Sequence, residues 1–281
     1  MVKNEGDRLT RVVVCTPREQ YFSWSDPNAH NIHEVADPTR TRDQHDELKT
    51  LLGKSGCEVI DVPELLKHPN SVFTRDAALC TPAGFIRLRM GLASRRGEDE
   101  WMASILRSLS EPCVGKIDEP GTVEGGDVIL AGGTAFVGLS ARTNAEGARQ
   151  ISALLRNLGY EVRAAPVPDA HLHLGGGMSV LGPKRVLCCR SEFPDDWFAG
   201  FDVIQVAHRD SGTGNVICLA EDEVVADSSG RGDTLRELEK SGVKVHGMDL
   251  SEFRKGAGGP TCLILPVERK SSPGIKRGAW D

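Results

Sequence analysis

The chain has 281 residues, a formal net charge of −6 and 39% hydrophobic content. That acidic balance argues against nucleic acid or an anionic membrane surface as the main partner, and no apolar run is long enough to span a bilayer. The length fits one large α/β or barrel domain, expected over residues 1–269, with an aperiodic tail over 270–281 expected to fray.

The N-terminal residues Met1 to Asp7 contain no apolar leader. The eight cysteines (Cys15, Cys57, Cys80, Cys113, Cys188, Cys189, Cys218 and Cys262) form no C-x-x-C pair, and most lie inside apolar runs. This distribution predicts reduced, mostly buried thiols and a cytoplasmic protein, and argues against a disulfide framework or a zinc site.

In chain order, an apolar strand at Arg11-Val12-Val13-Val14 is followed by an amphipathic helix over 43–52 and then by a junction, Leu51-Leu52-Gly53-Lys54-Ser55-Gly56-Cys57-Glu58-Val59. The same helix end, glycine cap and strand recur around Gly159 and Gly242, with looser copies at 105–114 and 197–203. Further helices are predicted over 98–109, 144–158 and 234–240. Paired strands are predicted over 122–130 and 134–139, and again over 215–219 and 223–226. The spacing between junctions suits stacked repeats. Five units of strand, hairpin and helix would close into a ring, the first strand pairing with Leu263-Ile264-Leu265, and closure is expected to remove exposed sheet edges.

Equivalent positions in such a ring face one axis. The segments entering the strands after each junction are Phe73-Thr74-Arg75-Asp76, Glu124-Gly125-Gly126-Asp127, Leu172-His173-Leu174-Gly175, Gly214-Asn215 and Thr261-Cys262. Cys262 itself reads as the first residue of a buried strand, reached through Gly256-Ala257-Gly258-Gly259-Pro260-Thr261. Taken singly, His173 also reads as a structural histidine, Glu124 as a turn residue, Asp76 as half of a surface ion pair with Arg75, and Cys262 as a small buried hydrophobe. Taken together, a thiol, an imidazole and two carboxylates at one mouth describe a nucleophile, a proton carrier and anchors for a cation. Two acids beside a thiol disfavour the thiolate unless the ligand is positive, which points to a guanidinium.

Phe-Thr-Arg-Asp, Glu-Gly-Gly-Asp-Val, Leu-His-Leu and the glycine-rich Thr-Cys resemble the guanidine-modifying enzymes of the amidinotransferase and arginine deiminase superfamily. The stretches 89–98 and 136–144 are most similar to dimethylarginine dimethylaminohydrolases. The resemblance runs from about Val12 to Leu265 and implies a five-fold pseudo-symmetric α/β propeller, the pentein fold. It implies Cys262 as nucleophile, His173 as acid and base, Glu124 and Asp76 as guanidinium anchors, and Arg95 and Arg142 as a clamp for the substrate α-carboxylate. A planar fork suits a carboxylate. Asn70, also expected at the substrate, stands where these hydrolases commonly carry aspartate, and Gly175 stands where deiminases and amidinotransferases carry one.

The implied reaction converts Nω-methylated arginine to citrulline and a methylamine through a thiouronium on Cys262. Arginine deiminase and an arginine dihydrolase or citrulline hydrolase are the competing enzymes, and a non-enzymatic binding protein of the same fold is the alternative outside catalysis. No metal or organic cofactor is expected, since the chain has no P-loop, H-E-x-x-H or dinucleotide glycine fingerprint. The expected partner is a small molecule, with a homodimer left open.

Overall fold

Five three-stranded sheets carry the architecture of the computed structural model, which describes residues 1–189, 193–194, 196–206, 214–230 and 232–271. The first sheet contains β1 (Arg8–Cys15) and β2 (Glu58–Val62), joined by α1 (Pro38–Lys54). The second holds β3 (Ala78–Thr81), β4 (Gly84–Arg87) and, after α2 (Glu98–Ser108), β5 (Cys113–Lys116). The third repeats this as β6 (Val128–Ala131), β7 (Thr134–Leu139), α3 (Ala145–Asn157) and β8 (Glu161–Pro166). A single turn, α4 (Leu174–Gly177), leads into β9 (Met178–Gly182), β10 (Arg185–Cys188) and β11 (Asp202–Gln205). The fifth has β12 (Val216–Ala220), β13 (Glu223–Asp227), α5 (Asp233–Lys240) and β14 (Lys244–Met248). After α6 (Ser251–Arg254), β15 (Leu265–Lys270) returns to the first sheet.

In each sheet the middle strand is antiparallel to the inner strand and parallel to the outer one. The ring closes where expected, with β15 antiparallel to β1 and Val13 opposite Leu265. The repeat has a backbone cause. Gly56, Gly159, Gly200 and Gly242 lie at φ 86°, 88°, 88° and 81°, and Ser110 takes the same place in the second unit at 65°. Glycine reaches this left-handed region without a Cβ penalty, so it ends the helix, or in the fourth unit a turn at 196–200, and leads the chain into the outer strand.

Helix α1 begins five residues before the expected start. Asp37 caps it, its Oδ1 accepting the Arg40 N–H at 2.7 Å, and Pro38 supplies a preset φ at the first position. The polar first turn hides this start from apolar periodicity. Further on, Leu48 and Leu52 are fully buried, each contributing about 1.5–3 kcal/mol of apolar transfer. Helix α3 starts where expected, with Asn144 Oδ1 accepting from Gly147 N at 2.8 Å.

Three expectations are corrected. The five sheets are separate, so closure does not remove edges: β2, β5, β8, β11 and β14 remain half-exposed at the rim while inner strands β3, β6, β9 and β12 are buried throughout. Charged rim residues such as Glu58, Lys116, Glu161 and Lys244 discourage edge pairing instead. The strand expected over 122–130 spans only Val128–Ala131, because Gly125–Asp127 form a tight turn. Lys270 belongs to β15 rather than to the tail, of which residues 272–281 lie outside the described residues. Among the described residues, no helix is long and apolar enough to cross a membrane.

Candidate active site

Four of the five units enter their inner strand through one tight helical turn, and these turns carry the residues singled out by the sequence. Asp76 ends the turn Thr74–Asp76, Glu124 precedes Gly125–Asp127, His173 precedes α4, and Cys262 lies within Pro260–Leu263. Cys262 is therefore one turn ahead of its strand, not its first residue. The turn leaves glycine where bulk would block the centre. A Cβ on Gly126 would sit 2.8 Å from His173 Cγ and Nδ1 and 3.0 Å from Asp76 Oδ1.

The side chains meet in a dense ion network. His173 Nε2 donates to Glu124 Oε2 at 2.8 Å, and its Nδ1 lies 4.0 Å from Asp76 Oδ1. Glu124 Oε1 accepts from the Gly91 and Leu92 N–H groups at 3.1 and 3.2 Å. Asp76 Oδ1 accepts from Gly126 N at 3.0 Å. Arg142 Nη1 donates to Glu124 Oε2 at 3.2 Å. Arg95 donates to Asp76 Oδ2 at 2.6 Å through Nη1, and to Glu98 Oε2 at 2.9 and 2.7 Å through Nε and Nη2. Its Nη2 also reaches the Phe73 carbonyl at 3.0 Å.

Burial opposes charge on Glu124, yet the His173 hydrogen bond and the two arginines hold its carboxyl well below the usual range. Burial likewise opposes charge on His173, but Asp76, Asp127 and Glu124 outweigh it and push the imidazole up to about 9. The Cys262 thiol is pushed up to about 11, first by burial and then by Asp76, with Arg95 and Arg75 pulling the other way. The resting pair is thus an imidazolium and a thiol.

His173 and Cys262 line one cavity of about 660 Å³, together with Gly126, Ser140, Gly175 and Asn215. Asp76, Glu124, Arg95, Arg142 and Asn70 are buried behind that lining. The structure brings Asp76, Glu124 and His173 together, and one ligand atom from each lies within 4.8 Å of the others, so this trio could hold a cation. It does not place the two arginines as a clamp open to the cavity: in this conformation both guanidiniums sit on the carboxylates, because an unpaired buried carboxylate costs more than the pair. Asn70 donates from Nδ2 to the His30 carbonyl at 3.0 Å, leaving its buried Oδ1 without a hydrogen bond. Arg75 does not pair with Asp76 at the surface. It is buried and donates to Glu5 Oε1 at 2.7 Å.

Two members of the network escaped the sequence reading. Asp127 Oδ1 accepts from Leu174 N at 2.9 Å, holding the backbone next to His173, while Oδ2 accepts from the Ser140 and Thr143 hydroxyls, each at 2.6 Å. Glu98 anchors Arg95. Both lay inside quoted motifs, and the available signal for Glu98 was its i, i+3 spacing from Arg95.

A family model described as "N,N dimethylarginine dimethylhydrolase, eukaryotic" matches residues 23–269. An N(G),N(G)-dimethylarginine dimethylaminohydrolase of Pseudomonas aeruginosa is 32% identical over 229 residues, covering 82% of this chain and 89% of the relative. A solved structure of a cysteine-to-serine mutant of the P. aeruginosa enzyme complexed with citrulline superposes with a TM-score of 0.80 at 29% identity, covering 92% of this chain and 99% of that one. An arginine deiminase of Listeria innocua is more distant, 27% identical over 305 residues, with 84% of this chain and 74% of the relative covered. With five small α/β sheets in a ring and these matches, the chain belongs to the dimethylarginine dimethylaminohydrolase family of pentein enzymes and is an amidine-type C–N hydrolase.

Proposed function

We propose that the protein hydrolyses Nω-methylated arginine to citrulline and a methylamine through a covalent intermediate on Cys262. The observation that carries this reading is the placing of His173 between two carboxylates at the wall of a cavity that Cys262 shares. Fixed by Glu124 on Nε2, the imidazole keeps Nδ1 for proton transfer.

A cationic substrate does what the resting site lacks. Its guanidinium offsets Asp76 and favours loss of the Cys262 proton to solvent, and the thiolate adds to the guanidinium carbon. His173 delivers a proton to the departing amine as the C–N bond breaks, leaving a thiouronium. Water then attacks the same carbon, giving one proton to His173, and as the C–S bond breaks the remaining hydroxyl proton passes to the sulfur, releasing citrulline and the Cys262 thiol.

Gly175 supports the methylated substrate. It lines the cavity and offers no carboxylate to the unsubstituted guanidinium nitrogens, so nothing at that position demands an N–H donor. Similarity to an arginine deiminase favours a second reading, hydrolysis of free arginine. Comparing kcat/KM for asymmetric dimethylarginine, monomethylarginine and arginine decides between them. Dimethylamine as the main leaving group supports the first reading; a higher value for arginine, with release of ammonia, promotes the second. Cys262→Ser is expected to abolish turnover, and trapping of a substrate adduct on any other cysteine would reject the assignment.

A further inference from the structure

Four units of the ring supply Asp76, Glu124, His173 and Cys262; the fifth enters its inner strand at Gly214-Asn215, a position with no role in the proposed reaction. Asn215 is buried, lines the same cavity as His173 and Cys262, and reaches across to the turn that carries the nucleophile. Its Oδ1 accepts from Thr261 N at 2.9 Å and from Thr261 Oγ1 at 2.9 Å. Since the Thr261 N–H can only donate, the amide oxygen must face it, which fixes the orientation of the side chain.

The contact answers a local need. Thr261 lies in the first turn of Pro260–Leu263, where a backbone N–H has no partner inside the turn, and Gly259 leaves room for the asparagine to approach. A Cβ on Gly259 would lie 2.9 Å from Asn215 Cγ. Asn215 is itself held by the unit that bears His173. Gly214 N donates to Gly176 O at 3.0 Å, and Ser179 Oγ donates to Gly214 O at 2.7 Å. One chain of hydrogen bonds thus runs from the turn after His173, through Gly214 and Asn215, to the residue before Cys262.

We infer that Asn215 is a positioning residue for the nucleophile, setting the Cys262 turn against His173 through Thr261. A neutral amide suits this place: a carboxylate would bind the two donors more strongly but would add a third negative group near a thiol already facing Asp76, with Arg95 and Arg75 as the cations acting on it and His173 across the cavity.

The inference rests on Cys262 as nucleophile, so its test includes that residue. Kinetics, thermal unfolding and the pH profile of Cys262 alkylation by iodoacetamide, read by peptide mass, are compared for the parent, Asn215→Ala, Asn215→Asp and Cys262→Ser. Asn215→Ala is expected to lower kcat by roughly 10–100-fold with KM changed less than about twofold, in protein that remains folded at the assay temperature. Asn215→Asp keeps an acceptor oxygen and is expected to recover much of kcat at higher pH, with the alkylation profile displaced upward. A kcat for Asn215→Ala within about twofold of the parent, or a loss confined to KM, overturns the inference. If the alanine variant does not fold, the aspartate variant decides alone, and an unmoved alkylation profile overturns it. Turnover by Cys262→Ser would reject the nucleophile assignment itself, whereas a dead Cys262→Ser beside an unimpaired Asn215→Ala rejects only the role of Asn215.

Discussion

Arg95 Nη1 lies 2.6 Å from Asp76 Oδ2, with both side chains only 3% exposed, so a carboxylate suited to a substrate's guanidinium already carries one from the chain itself. The fork is used in full: Glu98 holds the Nε and Nη2 side while Asp76 takes Nη1. This keeps a cluster of buried acids neutralised before substrate arrives.

Arg95→Ala is therefore expected to lose stability as well as activity, by about 3–5 kcal/mol, because Asp76 and Glu98 would be left buried without their cation. Arg95→Lys should recover part of the stability but not the activity, since an ammonium cannot reproduce the fork. Urea unfolding midpoints give the comparison, and an alanine variant as stable as the parent would show that the network carries no such strain.

Stability should fall as pH rises through the range set by His173. Its folded value, about 9, lies above the unfolded value of 6.5, so the folded state holds the proton more tightly. That contribution is complete below pH 6.5 and is lost progressively up to about pH 9. The full span corresponds to a loss on the order of 3 kcal/mol. His173→Gln should flatten this part of the profile; an equally steep decline in the variant would assign the effect to other groups.

Gly126→Ala tests how closely the turn must approach the site. The added methyl would meet the His173 ring and Asp76 Oδ1, and both would have to move. A loss of about 100-fold in kcat is expected, with far-ultraviolet circular dichroism unchanged. Near-parental turnover would mean that the imidazole position tolerates a shift larger than the ion network implies.

Gly175→Asp should change what the site prefers. A Cβ there would press on the Gly126 carbonyl oxygen at 3.3 Å, tighter than an ordinary contact, and lie 3.8 Å from Thr261 Oγ1, so a carboxylate enters the cavity once the Gly126 backbone yields by a few tenths of an ångström. It would reward unsubstituted N–H donors, and the ratio of kcat/KM for arginine over dimethylarginine should rise by about tenfold or more. If the ratio falls or stays level, Gly175 does not set the preference.

Much of this protein was written locally. Helix ends capped by Gly56, Gly159 and Gly242 marked the repeat, because a left-handed backbone position favours glycine for a local steric reason. Equivalent places in that repeat then named Asp76, Glu124, His173 and Cys262, whose residue types define their chemistry. Tertiary structure decided the partnerships: Arg95 on Asp76 instead of open to the cavity, Asp127 on the backbone of Leu174, and Asn215 on Thr261, the last two joining residues 47 and 46 positions apart. Periodicity and spacing report which way a backbone turns within a few residues. A hydrogen bond between neighbouring units depends on how the units pack around the axis, and that geometry exists only once the ring has closed.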